Sequence, residues 1–394
     1  MSNANQYWAL PDGINEALPI DAARLERLRR ELLDLYATWG YQLVMPPMVE
    51  YLESLRIAQG TDLDLQTFKV TDQLNGRMMG VRADMTPQVA RMDAHRLRAN
   101  EINRLCYIGT VLRTKSFHRD GSRAPLQVGA ELFGHAGIDS DVEILALLIQ
   151  TLMHCHVPDI LLGIGHVEIF SGLVAQAKLD EVEQKHYLAI LERKSLPELD
   201  QWLAKLTCSD EIRAMLHALP RLYGGVEVLQ DARNALQLAQ PNVLAALDYL
   251  QQIVETLQRH YPTCRIHIDL AELSGYSYHT GIVYAAYTPG TGSEIARGGR
   301  YDGIGEAFGR SRPATGFSTN LHELVQYLPA ALMDNGAILA PATQDPALDQ
   351  AIAQLRLQGE CVIRALAGQV STAAELGLTR QLVYTNGQWI LNKV

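Results

Sequence analysis

The sequence has few cysteines, and none of them lie close together. Five cysteines are spread over 394 residues without any CxxC pair. This spacing argues against a disulfide framework and against a cysteine-rich zinc site. His154, Cys155 and His156 are reminiscent of a metal clip, but they follow the apolar run EILALLIQTLMH. We therefore interpret them as the buried end of a helix, and we predict no metal site and no cofactor.

The sequence also lacks long apolar runs and an excess of positive charge. It is 47% hydrophobic and 20% charged, with a net charge of -10. No apolar run approaches the roughly 20 residues of a membrane-spanning helix, and the start, MSNANQYWALPDG, lacks the features of a signal peptide. We expect a cytoplasmic protein without membrane contact. The acidic balance also argues against a general nucleic-acid partner.

The order of apolar patterns predicts an α+β architecture, in which an antiparallel sheet carries flanking helices. The clearest helix is expected at 21–39, with Asp21 as its N-cap, and Asn75-Gly76 indicates a β-hairpin. The predicted organisation is a body at 1–170 and 263–328, interrupted by a helical insertion without strands at 171–262. A small α/β domain is expected at 329–394.

Several polar residues fall where elements of the body meet. In the predicted strand LQVGAELFG, alternation places Gln127 and Glu131 on one face, roughly 13 Å apart, with Gly129 between them. Taken alone, this strand fits a solvated polar face with a glycine bulge equally well. Arg113 is expected to end the preceding strand.

Two further segments supply comparable polar groups. Asp84 and Thr86 precede a helix that opens with Pro87, and capping alone explains Thr86. An isolated Asp84 or Arg113 would ordinarily face solvent. The segment 273–281, LSGYSYHTG, adds tyrosines and a histidine. Together these groups match an amino acid with a polar side chain, which needs a cation, an acid and hydroxyl or amide partners.

The segments that carry this set resemble the histidyl-tRNA synthetases, a class II family, along residues 7–328. The similar segments are VRADMTPQVAR, RLCYIGTVLR with LQVGAELFG (motif 2), LSGYSYHTG, RGGRYDGIGEAFG and ATGFSTNLHEL (motif 3). The resemblance implies a class II synthetase-like fold. It also implies a histidine pocket lined by Asp84, Thr86, Arg113, Gln127, Glu131, Tyr276, Tyr278 and His279.

The chain departs from those enzymes where they bind ATP. Ser274 and Glu323 occupy positions where the synthetases carry arginines that act on the phosphates of ATP, and Asn320 replaces a glycine. The tail of about 65 residues is shorter than the roughly 100-residue anticodon-binding domain of those enzymes, and its cations are scattered. Both departures are typical of the regulatory-subunit family of ATP phosphoribosyltransferase, a catalytically inactive paralogue.

That resemblance implies a subunit without catalytic residues of its own. It would bind L-histidine, assemble with the short-form catalytic subunit and be required for activity and feedback control of the first step of histidine biosynthesis. We also expect a class II-like dimer formed through the helix at 21–39 and the strand after it. The alternatives are a divergent histidyl-tRNA synthetase, or a synthetase-like enzyme that makes a different aminoacyl adenylate or modifies a protein.

Overall fold

The computed structural model describes residues 9–56, 65–97, 100–116, 121–272, 278–329, 336–369 and 372–394. The chain divides into two compact units, residues 1–327 and 328–394. The first unit contains the proposed pocket residues, and the second is a small sheet with one described helix.

The main sheet of the first unit explains how distant segments meet. Its nine described strands are β1 Gln42–Leu43, β5 Asn103–Thr110, β6 Leu126–Phe133, β7 Leu161–His166, β8 Tyr223–Gly224, β9 Arg265–Asp269, β10 Ile282–Tyr287, β11 Ala296–Arg300 and β12 Ala314–Asn320. Their spatial order is β1-β5-β6-β12-β11-β10-β7-β9-β8. The pairs β1–β5 and β7–β9 are parallel, and the others are antiparallel. The prediction of an antiparallel sheet with flanking helices is confirmed.

Helix α1 spans Pro19–Thr38 and packs its apolar stripe inward. Leu25, Leu28, Leu32 and Tyr36 are buried. The prediction that Asp21 caps this helix is wrong, because the N-cap is Leu18 and no side chain caps it. Asp21 instead lies in the first turn, where a carboxylate interacts favourably with the helix dipole.

A smaller sheet lies between α1 and β5 in the sequence. It consists of β2 Val49–Tyr51, β4 Met78–Val81 and β3 Phe68–Thr71, in that spatial order. Residues 72–77 connect β3 and β4 as an antiparallel hairpin, which confirms the Asn75-Gly76 prediction. Gly76 adopts a φ of 74°, a conformation that favours glycine. The short helix α2, Leu52–Arg56, follows β2.

The remaining helices of the first unit pack around the sheet. They are α3 Thr86–Arg91, which continues as a π-helical segment Met92–Leu97, α4 Ile138–His154, α5 Val167–Gln176, α6 Glu181–Glu192, α7 Leu196–Leu203, α8 Asp210–Ala218, α9 Val228–Ala235, α10 Pro241–His260 and α11 Leu321–Leu324. We call residues 167–260 the helical block. The expectation of no strand there is wrong by one element, because the two residues of β8 pair with β9. Two residues are too few for strand periodicity to be visible in a sequence.

The second unit has its own core. Strands β13 Ile338–Ala340, β14 Val362–Arg364, β15 Arg380–Thr385 and β16 Gln388–Lys393 form a sheet in the order β14-β13-β15-β16. Helix α12, Pro346–Leu357, is capped by the Asp345 carboxylate. The buried side chains of this core are Ile338, Ala340, Leu348, Ile352, Val362 and Leu382.

Candidate functional site

The floor of the site is the face shared by β6, β12 and β11. In the antiparallel register Gln127 is opposite Asn320, Gly129 is opposite Ser318, and Glu131 is opposite Gly316. Opposite residues in such a pair project to the same face of the sheet. On β11, Gly299 is opposite Gly316 and extends this face. The three glycines let the Tyr107 hydroxyl, the Glu131 carboxylate and the His279 ring pack directly against the strands.

Glu131 is the most enclosed acid of this face. It is 1% exposed, so the alternative of a solvated polar face is wrong for this strand. Its Oε1 accepts hydrogen bonds from the Tyr107 and Thr86 hydroxyls, each at 2.9 Å, and its Oε2 accepts one from the Tyr301 hydroxyl. Burial raises the pKa of Glu131 to about 8, although these three hydrogen bonds act in the opposite direction.

Asp84 and Gln127 form a second polar group at the start of α3. The Gln127 amide donates to Asp84 Oδ1 at 3.1 Å, and its Oε1 accepts from the Met85 backbone N–H at 2.9 Å. Asp84 Oδ1 also accepts from the Thr86 backbone N–H at 2.8 Å. The capping interpretation of Thr86 is therefore wrong: Met85 is the N-cap residue, and the Thr86 hydroxyl instead donates to Glu131.

Arg113 lies beyond the end of β5, which stops at Thr110, so the expectation that Arg113 ends the strand is wrong. Arg113 forms an isolated bridge with Thr67. It is half-buried, and its Nε donates to the Ala83 carbonyl at 3.1 Å. Burial lowers the pKa of Arg113 to about 10, while the nearby Asp84 carboxylate acts in the opposite direction. The cation therefore lies near the acid that the sequence grouped with it.

An open cleft adjoins these residues. It reaches Gln127, whereas the enclosed Glu131 lies further along the same face. The cleft contains two cations, Arg113 and Arg297, and two acids, Glu294 and Glu323. The Asn320 amide donates to the Glu323 carboxylate at 2.9 Å. The other lining residues are Ser116, Gly121, Ser122, Pro125, Ile295, Ala296, Ser318 and Thr319.

The segment LSGYSYHTG is described only in part. Tyr276, predicted to line the pocket, and Ser274 lie outside the described residues. The His279 ring lies against Gly299, since its Nε2 would be 2.8 Å from a Cβ placed there, and it packs on the Tyr278 ring with centroids 4.2 Å apart. Tyr278 is 46% exposed, yet desolvation of its hydroxyl raises its pKa to about 12. The nearby Arg297 charge acts to lower this pKa, whereas the charges of Asp84 and Glu131 act to raise it.

Two site residues were missed by the sequence analysis, namely Tyr107 and Tyr301. Both are buried and both donate to Glu131. Tyr107 lies opposite Gly129 in the β5–β6 register, a pairing that no local sequence pattern shows. Tyr301 directly follows the strand GGR, which the sequence analysis had treated only as a glycine-rich element.

The described residues contain neither a group of metal ligands nor a membrane-spanning helix. They contain no group of three or more His, Cys, Asp or Glu side chains arranged to hold a metal ion. At the end of α4, Cys155 is buried while His154 and His156 are exposed, so only the cysteine is buried at this helix end. Among the helices described, none is long and apolar enough to cross a membrane.

Comparison with known proteins places this chain in a family. The model of the histidyl-tRNA synthetase family matches residues 13–324, and the model of the ATP phosphoribosyltransferase subunit HisZ C-terminal domain matches residues 335–392. The ATP phosphoribosyltransferase regulatory subunit of Thioalkalivibrio sulfidiphilus is 55% identical over 99% of both chains. The chain belongs to the family of ATP phosphoribosyltransferase regulatory subunits.

Other members of this regulatory-subunit family and solved structures agree. The regulatory subunit of Chromohalobacter salexigens is 50% identical over 97% of both chains. A regulatory subunit/histidyl-tRNA synthetase from Bacillus halodurans has a TM-score of 0.83 at 26% identity, covering 94% of this chain and 96% of that one. A histidyl-tRNA synthetase from Nostoc shares the fold, with a TM-score of 0.78 at 20% identity, covering 95% of this chain and 91% of that one.

Proposed function

We propose that this chain is the non-catalytic regulatory subunit of ATP phosphoribosyltransferase and binds L-histidine in the pocket around Glu131. It assembles with the short-form catalytic subunit, is needed for that subunit's activity, and makes the first step of histidine biosynthesis sensitive to histidine. The single observation that carries the ligand assignment is the enclosed Glu131 carboxylate, surrounded by three hydroxyls and grouped with Asp84, Gln127 and Arg113.

The hydrogen-bonding capacity of Glu131 supports an imidazole partner. A carboxylate has roughly four lone-pair sites. In the ionised form of Glu131, three of these sites accept the hydroxyls of Tyr107, Thr86 and Tyr301, which leaves one on Oε2 that no described residue occupies. An imidazole N–H is a neutral donor of the right size for that site. The Tyr278 hydroxyl supplies a complementary group for the other ring nitrogen.

The remaining polar groups suit the amino-acid end of histidine. Asp84 and the Gln127 carbonyl offer acceptors for an ammonium group, and Arg113 offers a cation for a carboxylate. Gln127 and Glu131 are four residues apart on one strand, so the two ends of the ligand would lie along β6.

The charges of the cleft argue against adenylation of that histidine. Glu323 lies in the cleft at the position where the synthetases carry an arginine for the triphosphate, and Glu294 adds a second carboxylate. Catalysis of adenylation requires fixed cations where negative charge develops. The match to the synthetase family over residues 13–324 keeps a divergent histidyl-tRNA synthetase as the second candidate.

Reconstitution with a short-form catalytic subunit tests the proposal. Steady-state phosphoribosyl transfer is measured for the catalytic subunit alone, for the mixture, and for the mixture with histidine, while calorimetry measures histidine binding to this chain. We expect activity only in the mixture, and its inhibition by histidine. Absence of histidine binding or of any effect on the catalytic subunit would overturn the proposal. Histidine-dependent ATP–pyrophosphate exchange by this chain alone would favour the synthetase instead.

We also propose that the chain self-associates as a dimer. The apolar stripe of α1 is buried within its own chain, so it does not supply the surface that the sequence analysis expected. The segment after α1 does expose apolar side chains: Leu43, Met45, Met48 and Val49 are between 39% and 76% exposed. We expect Met45→Glu, in which the most exposed of the four becomes charged, to shift the protein towards monomer in sedimentation velocity. A wild-type monomer at micromolar concentration would contradict the dimer.

A further inference from the structure

Arg300 lies between two residues of the pocket but points away from it. Its neighbours on the chain are Gly299, which lies under the His279 ring, and Tyr301, which donates to Glu131. Because side chains alternate along a strand, the Arg300 side chain projects to the opposite face of the sheet. It is 5% exposed there. A residue in this position can act on the pocket only through the backbone.

The guanidinium of Arg300 is fully engaged on that opposite face. Its Nε and Nη2 form a bidentate pair with the Asp141 carboxylate, each at 3.0 Å. Nη2 also donates to the Ser140 hydroxyl at 2.8 Å, and Nη1 donates to Asp302 Oδ1 at 3.1 Å. Bidentate pairs fix orientation as well as distance. The backbone of Gly299, Arg300 and Tyr301 is therefore anchored to the first turn of α4.

The same carboxylate receives a group from the helical block. The Tyr249 hydroxyl on α10 donates to Asp141 Oδ2 at 2.5 Å, and its ring packs edge-on against His166, with centroids 5.8 Å apart. Asp141 is completely buried. His166 is the N-cap of α5, the first helix of the block. Tyr249 thus connects the block to the acid that holds Arg300.

Arg300 is also tied to the segment that carries Tyr278 and His279. Its carbonyl accepts from the Thr280 backbone N–H at 2.8 Å, and the Thr280 hydroxyl accepts from the Asp302 backbone N–H at 2.9 Å. The side-chain stem of Arg300 lies close to Gly281, 2.9 Å from the position of a Cβ there. A shift of Arg300 would therefore move both sides of the pocket, namely Tyr301 and the segment at 278–281.

We propose that Tyr249, Asp141 and Arg300 are positioning residues for the histidine pocket, and that through them the helical block sets the affinity of the pocket. The inference rests on the proposed function, because the ligand it concerns is the one proposed above. It assigns the helical block a role in ligand binding although Tyr249 lies on the other side of the sheet from the ligand.

Tyr249→Phe tests this with little disturbance, since only the hydroxyl is removed. Mutations within such networks change coupling by about 0.5–2 kcal/mol, so we expect histidine binding, measured by calorimetry, to weaken by about two- to thirtyfold. The matched control is Tyr261→Phe, at the end of the same helix, whose hydroxyl makes no hydrogen bond to the described residues. The histidine affinity of this control variant should equal that of wild type.

A double-mutant cycle with Tyr301→Phe separates positioning from a general loss of stability. If Tyr249 acts by placing Tyr301, the two substitutions together should weaken binding by less than the product of their separate effects. The inference would be overturned if the loss of histidine affinity in the double variant equalled the product of the two single losses, or if folded Tyr249→Phe bound histidine as wild type does. Either result would leave histidine binding by wild type intact. A wild-type chain that does not bind histidine would instead remove the proposed function.

Discussion

Glu131 and Glu323 are two carboxylates near opposite ends of one site, and their surroundings differ. Glu131 is 1% exposed and accepts three hydroxyl hydrogen bonds. Glu323 is half-buried at the cleft and receives one amide hydrogen bond, from Asn320. The first environment suits one neutral donor from a small ligand. In the proposed function, the second places negative charge where the synthetases bind the phosphates of ATP, so an acid would serve recognition at one end and exclusion at the other.

The contrast has a structural cause. Glu131 lies on a central strand between β5 and β12, where neighbours on both sides and Tyr301 enclose it. Glu323 belongs to the single turn of α11 that follows β12, at the edge of the cleft. Central strands bury their side chains, whereas element termini remain accessible to ligands. The predictions below test this difference in order of decreasing effect.

The largest expected effect concerns the pH dependence of stability. The pKa of Glu131 is raised from 4.5 to about 8 in the folded chain. Between these values the unfolded chain has released the proton while the folded chain retains it, so stability falls as pH rises from about 4.5 to about 8. Glu131→Gln removes this titration. The free energy of unfolding of this variant, relative to that of wild type, should be on the order of 2–4 kcal/mol higher at pH 8.5 than at pH 5.5.

Urea unfolding at the two pH values, followed by circular dichroism, measures this difference. Glu323→Gln is the matched control, and its pH dependence should follow that of wild type. If wild type and Glu131→Gln lose stability in parallel between pH 5.5 and 8.5, then Glu131 does not hold a proton in the folded chain.

The second prediction concerns histidine affinity. Above pH 8, where Glu131 is ionised, Glu131→Gln should weaken histidine binding by about 1.5–3 kcal/mol, or roughly 10- to 150-fold, because a charge-assisted hydrogen bond is lost. Glu323→Gln should leave the affinity within about twofold of wild type, since a partly exposed charge beside the cleft contributes little. Calorimetry on both variants makes the comparison. Equal losses would place the ligand across the cleft rather than at Glu131.

The Glu131→Gln variant also tests regulation. In the reconstituted complex, Glu131→Gln should remain assembled and active but resist histidine, because inhibition requires coupling between distinct sites, typically worth 1–3 kcal/mol. Sensitivity that matches wild type, despite lost binding by this chain, would place the sensor elsewhere. We expect this transition to move the loop at 114–124, of which 117–120 lie outside the described residues. Gly298-Gly299, expected from the sequence as a second moving part at a strand end, instead lie inside β11 and pair with both β10 and β12.

The features of the site that could be predicted from sequence were local ones. Alternation along β6 correctly placed Gln127 and Glu131 on one face, and the helical pattern identified most of the helical block. Tyr107 and Tyr301 could not be assigned, because their contact with Glu131 depends on which strands pair and in what register. Thr86 was misassigned for the same reason: its partner Glu131 lies 45 residues away, and capping is the only role a local pattern can show.

A further prediction concerns the glycine of β12 that lies under Glu131. Gly316 lies directly beneath Glu131 Oε2, and an added Cβ would overlap that atom. Gly316→Ala should displace the carboxylate, destabilise the chain by about 1–2 kcal/mol and weaken histidine binding. Gly303→Ala is the control, because no atom lies within 4 Å of a Cβ there. Urea midpoints and calorimetry compare the two, and a neutral Gly316→Ala would show that the floor accepts side chains.

The smallest effect is expected at the cleft. Glu323→Arg restores a cation where the related enzymes have one, and it should strengthen ATP binding by about 1 kcal/mol, or roughly fivefold, at low ionic strength. Glu255→Arg on the exposed side of the helical block makes the same change in net charge far from the cleft, and it should have no effect. The gain at position 323 should shrink at high salt, because salt screens partly exposed charges. Equal gains in both variants would mean that net charge, rather than Glu323 itself, disfavours the nucleotide.

ATP–pyrophosphate exchange should stay absent in both variants, because Ser274 still occupies the position of the second arginine. One restored cation does not organise a triphosphate for attack.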